Sequence, residues 1–181
     1  MKRRSLLTSV ATTALLGVST TGCLQPLDQS TEATSSGCAP GYRELARSFP
    51  SSIAEEASNG LTLNLSPDTV TPPEPVTATL KNTADSPTEI YDTDRLAIQW
   101  LNSKNDWATV LGVAEDYSWN NATTSLEAGD TREWQFRLKR SGFPEPYERC
   151  TSFVPGRYRF VYWGRPNDQA PLAIPFEITD T

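Results

Sequence analysis

From Gly60 onward, apolar residues recur at every second position in run after run, and this period constrains the fold more than any other feature of the chain. In LTLNL, Leu61, Leu63 and Leu65 fall on one side and Thr62 and Asn64 on the other. VTATLK separates Val76, Ala78 and Leu80 from Thr77, Thr79 and Lys81, and LAIQW aligns Leu96, Ile98 and Trp100. Trp134, Phe136 and Leu138 alternate with Glu133, Gln135 and Arg137, and Tyr158, Phe160 and Tyr162 with Arg157 and Arg159. Leu172, Ile174, Phe176 and Ile178 share the last face, where Pro175 predicts an edge strand. A period of two belongs to a strand with one buried face, whereas a helix repeats its apolar residues every three or four. Thr88–Tyr91 reads as a weaker strand, and NSKND as a five-residue turn into Trp107–Leu111.

These segments predict an all-β fold of seven or eight short antiparallel strands within residues 60–181. Strands with one apolar face bury it most simply by pairing two sheets, so a β-sandwich is expected; a closed barrel would satisfy the same pattern. Residues 38–59 predict a short helical segment packed on the domain. Within it, Tyr42–Phe49 is ended by Pro50, and Ser52-Ile53-Ala54-Glu55 opens a second helix as a capping box that Asn59-Gly60 stops. One domain suffices for this length.

The N-terminus predicts an address. Lys2, Arg3 and Arg4 precede a diluted apolar run, Leu6–Val18, whose thirteen residues suit a signal peptide over residues 1–22. A spanning helix needs roughly 20 apolar residues, so a permanent anchor is the alternative with less support. Arg3-Arg4-Ser5-Leu6-Leu7 resembles the twin-arginine export signal. Thr20-Thr21-Gly22-Cys23 resembles a lipobox, with Thr20 where that family usually has Leu. The resemblance implies that Cys23 receives lipid and becomes the first mature residue, fixing the protein to the outer face of the cell membrane. A cysteine that merely falls near a cleavage site is the plainer alternative. Residues 23–37 are polar and rich in Ser and Thr, a flexible tether with a reach of roughly 20 Å.

Residues 1–22 carry three basic groups and no acidic one, so their removal takes the net charge from −6 to −9. An acidic surface with three remaining Lys resembles proteins of salt-loving archaea, although a mesophilic secreted domain would look similar. Either way the charge opposes phosphate binding, and no nucleic acid partner is expected. With Cys23 assigned to lipid, Cys38 and Cys150 form an even pair in an oxidising compartment and predict a disulfide, with two separate buried thiols as the alternative.

Three stretches carry a family resemblance over about Gly60–Thr179: LTLNLSPDTVTPPEPVTATLKN, SLEAGDTREWQFRL with its turn at Leu126–Asp130, and FVPGRYRFVYW. Their order resembles the Ig-like domains of bacterial and archaeal surface lipoproteins. The resemblance implies that Tyr158 is a tyrosine-corner residue bonding backbone upstream of itself. A more distant likeness is to the Ig-like proteinase inhibitors, whose intracellular address differs from the one expected here.

The chain has no His, which removes His-based nucleophile activation and His metal sites. No glycine-rich loop has dinucleotide or phosphate-loop spacing. Asp92 with Asp94, and Glu115 with Asp116, are paired carboxylates that read as solvated surface charge or, with further ligands, as a calcium site. No cofactor and no enzymatic activity are expected. The segment most suited to binding is Gly112–Ser125, in which Tyr117, Trp119, Asn120 and Asn121 combine aromatic faces with amide groups; the alternative is that Trp119 folds back to cap the domain. Asn64-Leu65-Ser66 and Asn121-Ala122-Thr123 are glycosylation sequons. Arg157 and Arg159 are expected to point outward, as a docking patch or paired with neighbouring carboxylates. The function expected is that of a non-catalytic, lipid-anchored surface module binding an envelope protein or glycan. The alternatives are an accessory subunit docked on a membrane complex and a carboxylate enzyme of the envelope.

Overall fold

The structure is a computed structural model that describes residues 37–45, 49–50, 53, 56–167 and 169–180. The expected signal, lipobox and most of the tether lie outside these residues. The described chain is all-β. Its strands are β1 (Tyr42–Glu44), β2 (Ala57–Ser58), β3 (Leu61–Ser66), β4 (Thr69–Val70), β5 (Pro75–Asn82), β6 (Thr88–Tyr91), β7 (Leu96–Leu101), β8 (Trp107–Thr109), β9 (Leu111–Ala114), β10 (Thr123–Leu126), β11 (Thr131–Arg137), β12 (Tyr147–Arg149), β13 (Gly156–Tyr162) and β14 (Leu172–Ile178). They form a four-stranded sheet β11-β5-β3-β2, a five-stranded sheet β4-β14-β13-β7-β8, and smaller sheets β1-β9-β12 and β10-β6.

The two larger sheets meet through the residues that alternation places inward. Trp134 and Phe136 of β11 contact rings of β13, with Trp134–Tyr162 centroids 5.2 Å apart and Phe136–Phe160 stacked at 5.8 Å. Leu61, Leu63, Val76, Ala78 and Leu80 are buried on the facing side of β3 and β5. Burial of large apolar side chains at about 1.5–3 kcal/mol each is what holds such strands together. Cys38 and Cys150 are disulfide-bonded across 112 residues. In the chain-entropy account a loop of that length contributes about 4.7 kcal/mol.

Several expectations change. Tyr42–Glu44 is not helical but pairs with β9, and Ala57–Ser58 pairs with β3. Asn59-Gly60 does not stop a helix. With φ of 50° and 79° it is the two-residue turn of the β2–β3 hairpin, a geometry that needs left-handed backbone at both positions. Of the capping-box residues only Ile53 is described, and it is buried; the others lie outside the described residues. Trp107–Leu111 is not one strand. It divides into β8 and β9, which join different sheets. Pro175 faces an open edge as expected, because β4 covers only Glu177 and Ile178 of β14.

The outward expectation for Arg159 is wrong. Arg157 is exposed, but Arg159 is 2% exposed because Pro50 and Ile53 lie over it on the outer face of the five-stranded sheet. It donates to Gln99 Oε1 at 2.8 Å, Ile53 O at 2.9 Å and Pro50 O at 3.3 Å, and its guanidinium stands 4.4 Å from the Trp107 ring centroid. Burial pushes its pKa down to about 10.

Candidate functional site

The site builds from one buried cation. Arg95 lies between β6 and β7, where the chain leaves Tyr91-Asp92-Thr93-Asp94 to enter the core, and is 6% exposed. Among the described residues no carboxylate pairs with it. Its guanidinium lies 3.4 Å from the Tyr91 ring centroid, 5.2 Å from Trp163 and 5.8 Å from Trp119. The negative faces of aromatic rings attract a cation, by about 2 kcal/mol or more where water is excluded. Arg95 Nη2 also donates to Asn120 O at 2.8 Å and to Asn121 Oδ1 at 2.7 Å.

That pair of bonds ties down the Glu115–Ala122 loop. Trp119 packs edge-on against Trp163 at 4.7 Å and against Tyr117 at 4.9 Å, and lies 6.2 Å from Tyr147. Thr93 Oγ1 donates to Asn120 O, and Asp92 N to Ala122 O. At the loop's other end, Arg43 of β1 donates to Glu115 O and Tyr117 O. The loop is therefore stitched at one end to the turn between β6 and β7 and at the other to β1. Trp119 and Tyr117 are half-buried, while Ser118, Asn120 and Asn121 remain exposed.

Tyr147 closes the node from beneath. Its hydroxyl accepts from Leu96 N at 2.6 Å and donates to Asp94 O at 2.7 Å. Burial pushes the Tyr147 phenol well above its usual range, because a buried phenolate would lose its hydration. Tyr117 is raised too, chiefly by burial, with Asp94 and Asp92 adding to the rise and Arg95 opposing it. Asp94 pairs with Arg132 at 2.7 Å, and Arg132 also donates to Tyr91 O and Asp92 O.

Of the residues expected at a binding loop, the structure brings Tyr117 and Trp119 together against the domain and leaves Asn120 and Asn121 facing solvent. Sequence reasoning missed Arg95, Tyr91, Tyr147 and Trp163. Tyr91 and Arg95 stand four apart in one segment, but nothing in the spacing links that segment to Tyr147 or Trp163, which come from two others. The carboxylate pairs do not converge: Asp94 turns to Arg132, and no group of three or more His, Cys, Asp or Glu among the described residues could hold a metal. Two open surface depressions of about 440 and 470 Å³ lie elsewhere, and Asp85 is the one carboxylate residue lining either.

No family model and no curated protein matches the sequence. Among solved structures, the chain is similar to a Pseudomonas fluorescens alkylpurine DNA glycosylase bound to DNA with an abasic-site analogue. The TM-score is 0.36 at 17% identity, over 68% of this chain and 31% of that one. It is also similar to a Listeria innocua β-glucosidase, at a TM-score of 0.32 and 17% identity, over 66% of this chain and 16% of that one. A PapD-like domain of human CEP192 is matched over 75% of this chain and 89% of that one, with a TM-score of 0.27 at 9% identity. The chain thus spans less than a third of the two enzymes, and likeness at these scores carries no argument about activity.

Proposed function

We propose that this protein is a non-catalytic module of the outer cell surface, anchored by lipid on Cys23, and that it offers the Tyr117–Asn121 loop to an envelope protein or glycan. The observation that carries the reading is the clamping of that loop by Arg95. Holding a Tyr-, Trp- and Asn-bearing loop in one shape before contact removes much of the ordering cost that binding would otherwise incur. The Cys38–Cys150 disulfide supports an oxidising compartment. The finer fold is read as an Ig-like sandwich. The ring contacts between the two larger sheets support it, as does Tyr158, whose hydroxyl donates to Val154 O at 2.9 Å and accepts from Val154 N at 3.1 Å in the manner of a tyrosine corner.

The test is cross-linking of the full chain on its native membranes at working salt, with mass spectrometry of the products. A Cys23→Ser variant is run in parallel. The expected result is that the natural chain stays with washed membranes, the variant is released, and cross-links to a partner start from residues 115–121. Retention of the variant would overturn the anchor. Cross-links gathered on another face, to one recurrent membrane protein, would replace the loop reading with that of a docked subunit.

A further inference from the structure

We infer that Asn121 is an N-glycosylation site of the exported protein, and that Asn64, in the second sequon, stays unmodified. The inference rests on the surface address proposed above, because the sugar donor is met outside the cell membrane. A sequon is only a three-residue pattern; the structure separates the two copies. Transfer requires the acceptor segment to leave its own fold and bend into a transferase. A protein exported through the twin-arginine route arrives folded, so the local structure of each sequon decides which one is used.

Asn64, Leu65 and Ser66 are all within β3, in register with Thr79, Ala78 and Thr77 of β5. Leu65 packs against the core. Freeing this sequon would strip three consecutive residues from the four-stranded sheet and pull an apolar side chain into water. Asn121 and Ala122 lie outside any strand and are exposed. Thr123 is paired with Tyr91 as the first residue of a strand in a two-stranded sheet, Ala122 O accepts from Asp92 N, and Asn121 Oδ1 accepts from Arg95. Freeing the segment costs the end of a ladder and the bonds from Arg95 and Asp92, but all three sequon residues are exposed and none of their side chains leaves the core.

The amide is also presented the right way round. Arg95 Nη2 holds Asn121 Oδ1 at 2.7 Å, and Nδ2, the atom that takes the sugar, has no acceptor among the described residues on an exposed side chain. In the transfer, Nδ2 forms a bond to the anomeric carbon of an activated sugar diphosphate carried on a lipid. The anomeric carbon–oxygen bond to the diphosphate breaks, the diphosphate leaves, and the amide proton passes to a carboxylate base of the transferase. The sugar would stand at the end of the loop stitched to the β6–β7 turn. It would confine the proposed contact surface to the Tyr117 and Ser118 end, held by Arg43.

The experiment is peptide mass spectrometry of the full chain purified from its native membranes, for the natural sequence and for Asn121→Gln, Thr123→Val and Asn64→Gln. Thr123→Val removes the sequon hydroxyl while keeping Asn121 and its bond to Arg95, so it separates modification from loop structure. The expected result is a saccharide mass series on the Asn121 peptide, lost entirely in Asn121→Gln and Thr123→Val and unchanged in Asn64→Gln. A bare Asn121 peptide, or a saccharide on Asn64, would overturn the inference. The N-terminal peptide reads the address in the same sample. A bare Asn121 beside a lipidated Cys23 removes this inference alone, whereas bare residues at both positions remove the surface reading with it.

Discussion

Asn82 ends β5 and is wholly buried, an unusual place for an amide unless it is fully used. Its Nδ2 donates to Ser86 O at 2.9 Å and Leu126 O at 2.8 Å, while its Oδ1 accepts from Ala84 N at 3.0 Å. One side chain thereby joins the turn after β5 to the end of β10, beside the Gly129 turn that enters β11. Replacing it with Ala deletes three bonds and leaves the buried Leu126 carbonyl without this donor. We expect Asn82→Ala to lower stability by about 3 kcal/mol, read as a fall in the urea midpoint with an unchanged slope. An effect below about 0.5 kcal/mol would mean that water replaces the amide at no cost. The sequence showed Asn82 as the polar end of a strand, but not that the position is sealed. Arg159 shows the same limit more sharply. Alternation placed it opposite Tyr158 and Phe160, which is correct, but it is Pro50 and Ile53 lying over it that make that opposite side an interior.

Among the elements, the Glu115–Ala122 loop depends on a residue outside itself. Arg95→Met keeps much of the apolar length of the side chain but loses the cation and both Nη2 bonds. The domain core should remain, while the loop opens by about 2 kcal/mol, or roughly thirtyfold faster amide exchange at Tyr117 and Ala122. Unchanged exchange there would show that Trp119 packing alone holds the loop. The aromatic and amide character of this loop was plain in the sequence, whereas its clamp was not, because Arg95 sits among charged residues that read as surface. The N-terminal elements show the converse. Asn59-Gly60 carried the correct hairpin signal, but Ser52-Ile53-Ala54-Glu55 before it matched a helix start, and a local pattern does not reveal that β3 lies alongside to receive β2.

At the scale of the whole molecule, the core holds an unusual share of its phenols. Burial raises Tyr147, Tyr158 and Tyr162 above the ordinary value of 10.0. The unfolded chain gives up these protons near pH 10, and the folded chain keeps them, so this part of the stability is complete below pH 10 and falls as pH rises beyond it. Arg159 acts in the opposite sense, since its folded pKa of about 10 lies below 12.5 and the unfolded chain holds its proton longer. Three groups outweigh one. We expect stability to fall above pH 10, with the phenolates of Tyr147, Tyr158 and Tyr162 appearing together with unfolding rather than before it. Titration of these three tyrosines near pH 10 in a chain that stays folded would contradict this.

The sequence by itself determined that this chain is all-β from Gly60 onward, and which residues of most strands turn inward. Both follow from the two-residue period of a pleated strand, a property of neighbours along the chain. It also set the charge and the absence of His. The tertiary structure alone decided that Asn59-Gly60 turns a hairpin, that Arg159 is covered, and that Arg95 gathers Tyr91, Trp119 and Trp163 around one charge. Those outcomes depend on which segments meet across a sheet or at its end. Burial of a polar group is set by what lands on top of it, and that partner is distant in sequence.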